Sequence, residues 1–255
     1  MTRVPTAESL GHLEAAGVRL AWRRIEGNGP TLVWLGGFRS EMSGTKAGFL
    51  ADWAARSGRD FLRFDYFGHG LSGGDFESGT ITRWRADALA IIDALTEGPV
   101  VLAGSSMGGW LACLTALARP DRVAGLLLIA PAADFTDRLL APHLPPEARA
   151  AIERDGVWRR PSPYDPAGYP ITRNLLEDGA RWSILPGPIA IDLPTRILQG
   201  GADPDVPWRH ALGLALALKS EDVVFSLIAD GDHRLSRPRD LARLGAFASE
   251  LTDPD

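Results

Sequence analysis

At 255 residues the chain is long enough for one α/β domain with a full core and too short for two ordinary domains and a linker. Hydrophobic residues make up 45% and charged residues 23% of it, without a long charge run or a low-complexity tract, which excludes a disordered or fibrous chain. The net charge of −5 gives no electrostatic ground for nucleic acid or an anionic membrane as partner.

The leading stretch MTRVPTAESLGHLEAAG lacks the apolar segment of a signal peptide, and no run reaches membrane-spanning length, so a cytoplasmic location without stable membrane insertion is expected. Residues 18–25, VRLAWRRI, alternate apolar and polar and predict a half-exposed strand, closed by the turn at 26–30. Residues 31–35 are a compact apolar run ending in Gly36-Gly37-Phe38. A buried strand that stops on glycines leaves its next N–H groups free at the carboxyl edge, where α/β sheets bind ligands. The Phe38 N–H is therefore one expected oxyanion donor. Residues 43–57 predict a helix with Phe49, Leu50 and Trp53 inward, and 60–65 the next strand. The glycine-punctuated loop 66–74 carries His69, read as a hydrogen-bonding loop residue in preference to a base. Residues 82–95 predict a helix burying Trp84, Leu89, Ile92 and Leu95.

The centre of the chain is PVVLAGSSMGGWLACLTALARPDRV, residues 99–123. It reads as a β-branched strand, a sharp turn through Gly104-Ser105-Ser106-Met107-Gly108, and a helix. On such a turn a serine takes strained backbone angles and stands exposed at the sheet edge, while the glycines let strand and helix approach. Register selects Ser106, because the positions flanking Ser105 are Ala103 and Met107. The Met107 N–H, at the positive end of the helix, is the other expected oxyanion donor. Cys113, the sole cysteine, sits on the apolar helix face as a core thiol.

Residues 123–130 predict a further buried strand stopped by Pro131. From 131 to 193 the alternation of strand and helix breaks down, with nine prolines between Pro142 and Pro188. Aromatic residues there are too apolar for a solvated linker, so 131–193 is read as a cap inserted in a core formed by 1–130 and 194–255. Trp158, Tyr164 and Trp182 are expected to contact an acyl group beneath it. The sheet resumes with strands at 194–200 and 222–229, a helix at 208–218 between them, and a closing helix at 238–251.

A serine hydroxyl needs a base, and the base needs a group that holds its tautomer. The order serine, acid, histidine suits a strand-turn-helix nucleophile. His233, just after the last strand, is the expected base. Asp203 ranks first as the acid, ahead of Asp205 and Asp134, and Asp232 reads as a loop carboxylate. Acyl transfer follows, and the residues call for no cofactor and no metal. Dehalogenase or epoxide chemistry would want a carboxylate at Ser106.

SGTKA at Ser43, LRFDYFGHGLS at Leu62, RWRADALAIID at Arg83, EGPVVLAGSSMGGWL at Glu97, GVWRRPSPY at Gly156, DPDVPW at Asp203 and DHRLS at Asp232 carry a resemblance. The chain resembles the α/β-hydrolase-domain-containing type ten family of acyl-protein thioesterases and acyl-glucuronide esterases. The resemblance implies an α/β-hydrolase fold: a mostly parallel central sheet flanked by helices, with a helical cap inserted after the sixth strand. It also implies a triad at Ser106, Asp203 and His233, and a small-molecule or acyl-protein ester or thioester as substrate. Gly36 departs from the histidine that many members of the wider superfamily carry before the oxyanion-loop glycine. The family's eukaryotic members are mitochondrial, but no transit peptide is visible. Two functions are carried forward: a serine esterase or thioesterase, or a catalytically weak ligand-binding protein of the same fold.

Overall fold

The structure is a computed structural model, and it describes residues 8–162, 165–185 and 187–253. The strands and helices in chain order are β1 (Ser9–Ala15), β2 (Val18–Ile25), β3 (Asn28–Leu35), α1 (Thr45–Ser57), β4 (Arg59–Phe64), α2 (Ile81–Leu95), β5 (Val100–Ser105), α3 (Met107–Ala118) and β6 (Val123–Ile129). Then come α4 (Pro146–Asp155), β7 (Val157–Ser162), β8 (Asp165–Thr172), α5 (Arg173–Ala180), β9 (Thr195–Gly200), α6 (Trp208–Ala217), β10 (Val223–Ile228) and α7 (Pro238–Thr252).

Eight strands form one sheet in the order β1-β2-β4-β3-β5-β6-β9-β10. Only the β1/β2 and β2/β4 pairs are antiparallel; the rest run parallel, as the apolar strands at 31–35, 100–105, 123–129 and 195–200 require. Alternate residues on these strands feed two cores. Leu32, Trp34, Val101, Ala103 and Leu127 pack under α1 and α7. Val33, Leu35, Leu102, Leu126 and Leu128 pack under α2, α3 and α6. The sheet is thus buried on both faces, and its carboxyl edge is the one rim where polar side chains from several loops can gather.

β1 lies in a segment for which the sequence predicts no element. Its residues are half exposed, and it pairs with β2 across the two-residue turn Ala16-Gly17, both at positive φ (47° and 75°). An Ala-Gly turn lacks the Asn-Gly or Asp-Gly signature of such hairpins, which is why the pairing is silent in the sequence.

Between β6 and β9 the chain is mixed, whereas a helical insertion is expected from the sequence. A wide turn at Thr136–Leu140, α4 and α5 accompany the antiparallel hairpin β7/β8. Prolines at 161 and 170 suit a two-stranded ribbon whose outer edges need no donors, and they hide its period-2 pattern. Asp178, from α5, accepts the backbone N–H of Thr82 at 2.7 Å and its hydroxyl at 2.6 Å, tying this segment to the first turn of α2. No helix among the described residues is long and apolar enough to cross a membrane.

Candidate active site

Ser106 joins β5 to α3 at φ 55° and ψ −120°, a strained conformation for a residue with a Cβ. The turn is held from both sides: Ser106 N–H donates to Ile129 O at 2.9 Å, and Ala132 N–H donates to Ser106 O at 3.0 Å. The two motif glycines are steric necessities. A Cβ on Gly104 would lie 2.3 Å from Gly108 O, and one on Gly108 would lie 2.0 Å from Leu35 O. Helix α3 can therefore start against the ends of β3 and β5 only with bare backbone at both positions.

His233 follows β10 and Asp203 follows β9. The glycines before them press the two loops together, since a Cβ on Gly200 would meet Gly231 O at 2.4 Å. His233 Nδ1 lies 2.8 Å from Asp203 Oδ2, and its Nε2 lies 3.2 Å from Ser106 Oγ. A carboxylate at Nδ1 selects the tautomer with its proton there, leaving Nε2 as acceptor towards the serine. The Asp203 side chain is fully buried. Its Oδ1 accepts the N–H groups of Asp205 at 2.8 Å and Val206 at 2.9 Å, and the Gln199 amide lies 3.3 Å from Oδ2.

The other acids ranked from the sequence are engaged elsewhere. Asp205 pairs with Arg160 at 3.3 Å on the surface. Asp134 is buried and accepts from Ser183 Oγ at 2.6 Å and from the N–H groups of Ile184 and Leu185 at 3.0 Å each. Asp232 accepts the Leu235 N–H at 2.9 Å, as a loop carboxylate does.

Two N–H groups border the serine. Met107 opens α3, so its N–H has no carbonyl partner within the helix. Gly37 lies so close that a Cβ there would be 3.4 Å from Ser106 Cβ, which puts the Gly37-Phe38 backbone against the turn. The Phe38 ring anchors that loop among Phe76, Trp84, Phe135 and Tyr169, at centroid distances of 4.9 to 6.2 Å. A cavity of about 580 Å³ opens over Ser106 and His233, with Phe135, Leu139, Leu140, Tyr169 and Ile171 on its apolar side.

With this geometry in view, the comparisons with known proteins are specific. The family model described as serine aminopeptidase, S33 matches residues 30–159. Palmitoyl-protein thioesterase ABHD10 of Bos taurus, a mitochondrial protein, is 37% identical over 235 residues, covering 92% of this chain and 76% of the relative. The chain belongs to the α/β-hydrolase type ten family. A solved structure from Agrobacterium vitis S4, described as a hydrolase, is 41% identical to it with a TM-score of 0.93, covering 97% of this chain and all of the other. The mouse alpha/beta hydrolase domain-containing protein 10 is 36% identical with a TM-score of 0.87, covering 95% and 98%. This type ten hydrolase is thus a serine hydrolase of the ester- and thioester-cleaving kind.

The same relatives correct the expected cytoplasmic location: the mammalian members of the type ten family that match this chain are named as mitochondrial.

The cavity wall of this family member also differs from the expected one. Trp182 does not reach it; its indole N–H donates to Thr82 Oγ1 at 2.7 Å, and its ring stacks on Arg85, so it packs the insertion onto α2. Trp158 stands on β7, the strand against which α4 packs, and it too is absent from the wall. Tyr164 lies outside the described residues. Tyr169 and Ile171 line the cavity instead, on the ribbon face that the β7/β8 register gives them in common with Arg160 and with Trp158, which pairs with Ile171 but stays outside the cavity lining. Only a strand assignment would have picked them out.

His69 and Cys113 are structural. His69 is buried among Tyr66, Phe76 and Trp84, with Nδ1 3.0 Å from Phe67 O; burial pushes its imidazole down to about 4. Cys113 is buried in α3, and burial pushes its thiol up to about 12. Among the described residues, Asp203, Asp205 and His233 are the group with metal-donor spacing, within 4.8 Å of one another, and both Asp203 oxygens are already hydrogen-bonded.

Proposed function

We propose that this hydrolase works through an acyl-enzyme on Ser106. His233 takes the hydroxyl proton as Ser106 Oγ attacks the carbonyl carbon, and Asp203 holds the imidazole and stabilises its cation. The Met107 and Phe38 N–H groups receive the oxyanion of the tetrahedral intermediate. His233 then gives the proton to the departing alcohol or thiol, and water, deprotonated by the same imidazole, releases the acid. The observation that carries the reading is the single line Asp203–His233–Ser106, at 2.8 and 3.2 Å.

Residues 131–193 serve in this reading as a cap over the acyl site, with 1–130 and 194–255 as the core. The cap supplies Phe135, Leu139, Leu140, Tyr169 and Ile171 to a cavity large enough for a drug-sized ligand. That apolar wall, together with relatives named palmitoyl-protein thioesterases, supports fatty acyl thioesters as substrates, on proteins or small molecules. The test is hydrolysis of acyl thioesters and p-nitrophenyl esters of graded chain length by the wild type and Ser106→Ala. The expected result is turnover that rises with chain length and is lost in the variant. Stoichiometric acylation without turnover would instead point to a ligand-binding role.

A further inference from the structure

Lys46 breaks a local rule. It is the second residue of α1, whose Gly44 cap makes no side-chain bond and whose first turn holds no acid, so the positive end of the helix meets a positive side chain. Lysine is scarce here: of 27 lysines and arginines, only Lys46 and Lys219 are lysines. Conflicts between local preference and fold of this kind concentrate at functional sites. The side chain lines the same cavity as Ser106 and His233. Its Nζ donates to Arg234 O at 2.6 Å, across 188 positions of sequence, on the residue next to His233.

The turn carrying His233 closes on itself through Asp232 Oδ1, which accepts the Leu235 N–H at 2.9 Å, and through Ser236 Oγ, which donates to Arg234 O at 3.0 Å. Lys46 ties it from outside, from the side of the sheet edge that also bears the Gly37-Phe38 loop. We propose that Lys46 is a positioning residue for the base: its ammonium holds the backbone after His233 and so keeps the imidazole aimed at Ser106. The assignment rests on the triad reading given above.

The charged and titratable groups that share its cavity or act on it are Glu41 ahead of α1, His143 ahead of α4, Arg160 and Tyr169 of the β7/β8 ribbon, Asp203 and Asp205 after β9, and Asp232, His233 and Arg234 after β10. Burial, and then the Arg234 charge, push the ammonium down to about 8, against the pull of Asp232 and Asp203. The positioning bond is charge-assisted below that pH and weaker above it.

Lys46→Met keeps the stem and removes the donor. The expected result is a kcat lowered about 10- to 100-fold with KM within about threefold, as for a displaced catalytic group. Its Tm should be unchanged, because the half-buried side chain keeps its stem and loses only one solvent-exposed bond. In the wild type, kcat should fall as pH rises through about 8 towards the Lys46→Met value, and Lys46→Arg, which stays charged, should flatten that limb. A Met variant with full kcat overturns the proposal, as does a wild-type profile flat through pH 8. A loss confined to KM overturns it by making Lys46 a substrate contact, and a Tm that falls with activity overturns it by making the bond structural. Ser106→Ala assayed alongside separates the two readings: activity surviving there defeats the acyl-enzyme, whatever Lys46 does.

Discussion

Asp203 is held by more than its histidine. Two backbone N–H groups and the Gln199 amide surround it, so the carboxylate is fixed before the imidazole arrives. Asp203→Asn should keep this geometry but favour the wrong histidine tautomer, lowering kcat by roughly 10⁴-fold by analogy with other triads. Asp205→Asn, which loses only a surface pair with Arg160, should change it by less than about tenfold; comparable losses in the two variants would reassign the acid. His69 makes a separate expectation about stability. The unfolded chain takes up a proton near pH 6.5, whereas the buried imidazole accepts one only at about 4, so the fold loses stability as pH falls through that window. The loss attributable to this group is at most ~3 kcal/mol by linkage. Denaturant melts at pH 4 and 7 should show a smaller difference for His69→Phe than for the wild type; equal differences would mean that other groups govern the acid response.

Among the elements, β5, its turn and α3 carry the tightest requirement. Gly108→Ala would push a methyl group into the Leu35 carbonyl, and neither backbone can give way without moving β3. A destabilisation of about 3 kcal/mol or more and loss of Ser106 reactivity are expected, read by thermal melting and by labelling. Unchanged melting would mean that the turn is looser than its contacts imply. The interior strands were legible in the sequence because burial on both faces writes them as continuous apolar runs, and the nucleophile turn because its glycines have one steric purpose. β1 and the β7/β8 hairpin were not. The first turns on Ala-Gly and shows few apolar residues, and the second is masked by prolines that only an isolated ribbon tolerates. Missing the hairpin cost the cavity wall, since the inward residues Tyr169 and Ile171 follow from its register. Gln199 was silent for another reason: on a buried strand its amide has meaning only once Asp203 is folded back over it. The hairpin is pinned to the core by surface ion pairs, Arg159 to Glu77 and Arg160 to Asp205. Such pairs are individually weak and screened by salt. Replacing both arginines with Gln should therefore raise KM less than tenfold and remove most of its dependence on ionic strength.

At the scale of the molecule, the segment between β6 and β9 shares one interior with the rest of the chain. Leu175, Ile189 and Ile191 lie in the same buried cluster as Trp84 of α2 and Trp110 of α3, and Asp178 caps α2. A single cooperative thermal transition is expected, by calorimetry or by fluorescence of the tryptophans; an early separate transition would show that the segment melts as a lid. The sheet also accounts for the chain order of the proposed catalytic groups. Ser106, Asp203 and His233 each follow a strand of one parallel sheet, and its carboxyl edge collects them whatever the sequence between. The most direct measurement is intact-mass and peptide mapping after brief exposure to a fluorophosphonate and, separately, to an excess of a fatty acyl thioester. One adduct per chain on the Ser106 peptide, absent in Ser106→Ala and slowed strongly in His233→Ala, is the expected result. An adduct on another residue, or labelling that persists in Ser106→Ala, would contradict it.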